Sequence, residues 1–179
     1  MDALLKLASW IDALNKNFGR VAACFVLLAC LISAGNALTR YAFSASSNAW
    51  LEIQWYLFAG IVMFGTAHTL KLNQHVRVDL IYARLSPRAA AWVDLLGLCL
   101  FLMPATLLLA WLAWPMFFKS AVAAERSMNP GGLMLWPMQL TLPLGFGLLA
   151  LQGVSEIVKR AGYLMGRCDM DTHYERPLQ

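Results

Sequence analysis

Leu95–Phe118 reads LLGLCLFLMPATLLLAWLAWPMFF, twenty-four consecutive residues without a charged side chain. Coiled as a helix it would extend about 36 Å, enough to cross the ~30 Å hydrocarbon core of a bilayer. Working outward from it, Val21–Thr39, Ile53–Leu70 and Ser127–Ser155 are also free of charge. The four runs take up half of the 179 residues, and only 13% of the chain is charged, against the ~25% of a soluble domain. What remains is tails and short loops. They cannot house an independent soluble enzyme, whose domain would need roughly 100 residues.

The net charge of +4 and pI near 9.0 do not point to nucleic acid. The basic residues flank apolar runs and do not cluster on one element with interleaved aromatics. Cys24, Cys30 and Cys99 lie inside apolar runs and Cys168 in the tail, with neither CxxC nor ligand spacing, so they read as small packed residues.

The expected fold is an all-α membrane protein with four transmembrane helices at about 19–40, 51–71, 92–118 and 133–155. These make one four-helix membrane domain over 1–165, followed by a cytoplasmic tail at 166–179. In the first nineteen residues Leu4, Leu7, Ala8, Ile11, Leu14 and Phe18 share one helical face, while Asp2, Lys6, Ser9, Asp12 and Lys16 share the other. This predicts an amphipathic helix in the membrane interface ahead of span one. Gly35-Asn36-Ala37 faintly resembles a signal-peptide cleavage site, but the apolar run outlasts a signal peptide and is expected to remain.

Val78, Ile81, Tyr82 and Leu85, beside Arg77 and Arg84, predict a short cytoplasmic surface helix between spans two and three. Ser86 as N-cap with Pro87 at the first helical position starts the next helix. Pro87 to Phe118 would be about 48 Å of helix, so a bend at Pro104 is expected. Asn129-Pro130-Gly131-Gly132 predicts a turn. Span four, with Pro137, Pro143, Gly145, Gly147 and Gly153, needs packed neighbours to satisfy its backbone. Eleven Lys and Arg residues fall in the tails and middle loop and three in the other loops, which predicts cytoplasmic termini.

Two ionisable residues sit within spans. Glu52 lies among Trp50, Trp55 and Tyr56, at the interface. There a carboxylate is met by water and headgroups, or by a polar or basic group on another polypeptide; proton coupling would need a deeper position. His68 with His75 and Asp79 makes an incomplete metal set, since two ligands on one turn lack a third, and a capping or hydrogen-bonding role is expected instead. Gln139, Thr141, Gln152, Asn36 and Thr39 read as interhelical hydrogen-bond formers. No phosphate loop, nucleophile elbow or paired central carboxylates occur. So few polar residues supply neither a substrate path nor a gate, and they point to a helper subunit with no cofactor and no catalytic role.

The stretch Asn48-Ala49-Trp50-Leu51-Glu52-Ile53-Gln54-Trp55-Tyr56-Leu57-Phe58 is similar to the tryptophan-and-acid start of span two in one family. That family is the small, DctQ-like membrane subunit of tripartite ATP-independent periplasmic (TRAP) transporters. Gly65, then His75-Val76-Arg77-Val78-Asp79, then Glu125-Arg126-Ser127 through Gly131-Gly132-Leu133 to Trp136-Pro137, and finally Gln152 and Glu156 continue the resemblance over about residues 15–162. Many relatives carry a second acid where this chain has Ile53, so a role that needs a carboxylate pair is not carried over. The Leu-Glu-Ile-Gln-Trp form looks more like the branch labelled for mannitol, chloroaromatic and 2-oxo monocarboxylate uptake than the C4-dicarboxylate branch.

The resemblance implies the accessory subunit of a sodium-driven symporter of organic acids in the bacterial inner membrane. Its partners would be a large permease subunit, a periplasmic solute-binding protein and membrane lipids, with no nucleic acid. Trp50, Glu52 and Gln54 would form an outer contact region, His75, Arg77 and Asp79 would order the cytoplasmic surface helix, and Trp136 and Pro137 would complete the motif. Two other functions compete. A haem-bearing redox anchor would need two buried histidines on different helices, and His173 in the tail is a poor second ligand. A self-sufficient exporter would need Glu52 as its proton site.

Overall fold

In the computed structural model, residues 2–45, 47–73 and 85–168 are described, and among them the chain is all helical. Helix α1 spans Asp2–Phe43, α2 Asn48–Lys71, α3 Pro87–Gly97, α4 Met103–Val122 and α5 Trp136–Leu164. A five-residue π-helical segment, Leu98–Leu102, joins α3 to α4. The predicted surface helix over His75–Leu85 lies almost wholly outside the described residues, and so do His75, Arg77 and Asp79.

Helix α5 is the hub, in contact with each of the other four. It packs on α1 and α2, which run antiparallel, and α3 and α4 lie along it from the other side. Ala22, Phe64, Ala67 and Leu148 form the buried core, with Leu14, Phe18, Phe25 and Met63 against it. Phe64 takes Phe18 and Phe25 at ring separations of 5.3 and 6.2 Å, within the range of favourable aromatic pairs. Glycine lets α2 meet α5: a Cβ on Gly145 would lie 2.5 Å from the Met63 Cβ and 3.0 Å from its backbone. Small residues at such crossings are the usual means of close helix packing in membranes, where the hydrophobic effect does not drive helices together.

The outer surface is as apolar as a lipid-facing surface must be, with Leu27, Leu31, Leu108 and Trp111 all more than half exposed. Among the described residues three helical runs are long and apolar enough to cross a membrane: Asp2–Phe43, Pro87–Val122 and Trp136–Leu164. The 24 residues of α2 are also long enough, but Glu52, Gln54 and His68 dilute their hydropathy.

Three sequence expectations change in detail. The N-terminal segment is not a separate helix; it continues into the first apolar run as a single 42-residue helix. Its buried face carries Ala8, Ile11 and Asn15, while Leu4 and Leu7 are exposed and Asp12 is half-buried. The reason is that α5 offers this face polar side chains as well as apolar ones. Around Pro104 the chain inserts a π turn, in which the Met103 N–H reaches back to the Leu98 carbonyl. Proline lacks an N–H and crowds the carbonyl four residues earlier, and a π turn just before it is one way to accommodate both. Helix α5 begins at Trp136, three residues later than expected, and continues past Val154 to Leu164.

Candidate functional site

Polar groups gather at two opposite ends of the bundle. At one end, α4 closes with Ala124 at φ +46°, donating from Ala124 N–H to Ala121 O and from Glu125 N–H to Ser120 O. This is a Schellman ending, in which the chain reverses through a left-handed residue. The following segment pairs with itself. Ser127 N–H donates to Leu133 O at 2.9 Å, Leu135 N–H to Glu125 O at 2.9 Å, and Arg126 bridges Met134. Its tip is the expected turn: Gly132 N–H reaches Asn129 O at 2.8 Å across Pro130 and Gly131, whose φ is +73°. Proline followed by a positive-φ glycine is the signature of a type II turn.

This hairpin closes on Glu52, which is 2% exposed. The carboxylate accepts from Ser127 Oγ, from Asn129 Nδ2 at 2.8 Å and from the Leu133 N–H at 2.7 Å. On the same face of α2, Asn48 Nδ2 donates to Pro130 O at 3.3 Å and Tyr56 Oη to Met134 O at 2.7 Å. The expectation that water, headgroups or another polypeptide would meet Glu52 is thus corrected: its own chain supplies three donors, all uncharged. A carboxylate so held keeps its charge and makes strong charge-assisted bonds.

The other predicted residues nearby do not converge on it. Gln54 donates back to Trp50 O at 3.0 Å within α2, and Trp50 is nearly half exposed. Trp136 starts α5 from an exposed position, with Pro137 half-buried behind it.

At the opposite end, Gln152, Ser155, Glu156, Lys159 and Arg160 of α5 meet residues from α1 and α3. Gln152 is fully buried; its Oε1 accepts from Asn15 Nδ2 at 2.8 Å and its Nε2 donates to Asp12 Oδ1 at 2.8 Å and Glu156 Oε1 at 3.0 Å. Ser155 Oγ donates to the same Asp12 oxygen at 2.8 Å and lies 3.2 Å from Ala8 O. Lys159 bridges Asp12 at 3.2 Å and also pairs with Glu156. Arg160, 3% exposed, joins Asp94 of α3 at 3.0 Å and Glu156 of its own helix. From α2, Lys71 Nζ donates to the Asp12 carbonyl at 3.1 Å. One face of α5 ties α1 and α3 together here, and Lys71 adds α2 through α1.

Of these residues the sequence reading singled out Gln152 and Glu156. It missed Asp12, Asn15, Asp94, Lys159 and Arg160. A signal was present: Gln152, Ser155, Glu156, Lys159 and Arg160 recur at helical spacing, on the end of a run that is otherwise apolar. At the opposite end, Asn48, Glu52 and Tyr56 stand four apart and mark one stripe in the same way. His68 packs against Gly19, where a Cβ would meet its ring at 2.6 Å. Its buried Nδ1 has no hydrogen-bond partner among the described residues, so the hydrogen-bonding role expected of it is not seen at that atom.

A helical bundle with lipid-compatible walls, whose described polar ties gather at its ends, has the make-up of an integral membrane protein. The sequence matches the family model of the DctQ component of tripartite ATP-independent periplasmic transporters over residues 29–162, most of its length. The chain therefore belongs to that family, a transporter component and not an enzyme family, which works alongside other TRAP subunits. Comparison with curated proteins and with solved structures returned no match.

Proposed function

We propose that this chain is the scaffold subunit of a sodium-driven TRAP symporter in the bacterial inner membrane. It crosses four times with both termini in the cytoplasm, α2 being the fourth span. It braces a large permease subunit that binds and moves organic acids delivered by a periplasmic receptor. The supporting observation is the separation of polar groups into two end locks with an apolar core of Ala22, Phe64, Ala67 and Leu148 between them. Transport needs converging polar groups at mid-depth and an element that moves. A brace needs the reverse, helices fixed against each other at both ends.

In this reading Trp50, Trp136 and Pro137 flank the Glu52 hairpin and present it on the outer side. His75, Arg77 and Asp79 order the cytoplasmic connection. The test is reconstitution. Proteoliposomes holding this chain, the large permease and the receptor should take up solute on an inward sodium gradient, whereas the chain alone should not. Glu52→Ala and Asp79→Ala should lower co-purification of the permease or uptake. Uptake by the isolated chain would overturn the proposal, as would full co-purification and uptake in both variants.

A further inference from the structure

At the end of the bundle that holds the charge network, a groove of about 410 Å³ opens between the start of α3 and the end of α5. It is lined by Arg88, Tyr163, Leu164, Met165 and Gly166. The described lining carries one guanidinium, one phenol and no carboxylate. Arg88 is exposed, and its described contact is a long 3.5 Å approach to Leu164 O. The guanidinium is therefore placed to meet an anion.

What rises above the groove identifies the anion. Trp92, Leu96 and Leu100 follow Arg88 at four-residue steps, forming one track up α3 into the π turn. They are 51%, 51% and 63% exposed, so none of the described residues covers them. From Arg88 to Leu100 the track climbs about 18 Å at helical rise, close to the ~15 Å depth of one bilayer leaflet. An arginine at the foot, a tryptophan one turn up and leucines beyond follow the order of headgroup, interface and acyl region. A free phosphate would use only the first of these.

We infer that the groove and track bind one anionic glycerophospholipid, with its phosphate on Arg88 and the Tyr163 hydroxyl and an acyl chain along Trp92, Leu96 and Leu100. The net negative headgroup is selected because the described lining offers a guanidinium and no carboxylate for the ammonium of a zwitterionic lipid. The lipid would fill the angle between α3 and α5 on the side away from α1 and α2.

The test uses the full chain in detergent micelles doped with phosphatidylglycerol or phosphatidylcholine, with retained lipid counted by native mass spectrometry. Phosphatidylglycerol should be retained about fivefold over phosphatidylcholine, roughly the contribution of one basic residue at an anionic surface. Arg88→Gln should bring it down to the phosphatidylcholine level while leaving the helical circular dichroism unchanged. A tenfold excess of inorganic phosphate should not displace it. Equal retention by wild type and a folded Arg88→Gln overturns the site. Displacement by inorganic phosphate overturns its assignment to lipid. No transporter partner takes part, so the result is separate from that of the scaffold reading.

Discussion

The two ends of this bundle solve the burial of carboxylates by different chemistry. Around Glu52 the donors are neutral and come from a single loop of nine residues, Ser127 to Leu135. At the other end Asp12 of α1 is met by Gln152, Ser155 and Lys159 of α5, 140 to 147 residues away. Glu156 is met by two cations and an amide of its own helix, and one of these, Arg160, reaches on to Asp94 of α3. The first arrangement orders a local segment, so its loss should be felt locally. The second joins α1, α3 and α5 over separations of 66 to 147 residues, so its loss should be felt by the whole fold.

The strongest test of that contrast is Arg160→Met. Arg160 is buried between Asp94 and Glu156, and removing it takes one cation from each acid, although Glu156 keeps Lys159 and Gln152. Breaking a buried pair costs about 3–5 kcal/mol when the remaining charge is left uncompensated, and the partners that Glu156 keeps put the expected loss at the lower end, about 3 kcal/mol. The loss should appear as reduced global stability in mixed micelles, with amide exchange rising in α1 and α3 together. A loss below about 1 kcal/mol, within the range of a surface pair, would show that the network is not the global tie.

Gly145→Ala probes what lies between the locks. The added methyl would meet Met63 at its Cβ and its backbone, and backbone cannot swing aside as a side-chain tip can. Overpacking of this kind costs about 1–3 kcal/mol. The same substitution at Gly147, whose added Cβ meets nothing within 4 Å, should be neutral or slightly stabilising. Equal melting of the two variants would mean that α2 and α5 separate readily, and that the end locks alone set the packing.

Glu52→Gln tests the local side of the comparison. The amide keeps a single acceptor oxygen and turns an NH₂ group towards donors, so Ser127, Asn129 and the Leu133 N–H cannot all donate to it, and the loop must rearrange its hydrogen bonds without the carboxylate's charge. Hydrogen exchange over residues 125–135 should accelerate about tenfold or more, while α1 and the second half of α5 keep their protection. Faster exchange spread evenly through the bundle would erase the distinction between the two ends.

How much of this could be read beforehand follows the same division. The long apolar runs, the Ser86 cap, which accepts from Ala89 N–H at 3.3 Å, and the Asn129–Gly132 turn were legible because each depends on residues within a few positions of one another. Glu52 was legible as unusual but not as caged, since its donors lie more than seventy residues away. Asp12 was placed on the solvent side of an amphipathic wheel. It is half-buried only because Ser155 and Gln152 of α5 happen to cross there. The π turn before Pro104 is one of several responses to a mid-helix proline, and periodicity does not choose among them.

The smallest effect bears on what folds the Glu52 hairpin. Ala124 holds φ +46° at the Schellman ending of α4, a conformation that costs a residue with a Cβ roughly 1–2 kcal/mol. Its methyl is exposed and contributes no packing that would offset the strain. Ala124→Gly removes that cost but adds about 0.5–1 kcal/mol of unfolded-state entropy, leaving a net gain from a few tenths to about 1 kcal/mol. Thermal melting should rise by ~1–3 °C. Combining it with Glu52→Gln decides the order of dependence. If Glu52 draws the hairpin closed, the left-handed turn is imposed by that closure, and the gain from glycine shrinks once the carboxylate is gone. If the helix ending directs the hairpin by itself, the two effects add, as they do for sites that share no partner. Additivity within about 0.3 kcal/mol would therefore reassign the folding of this segment from the carboxylate to the end of α4.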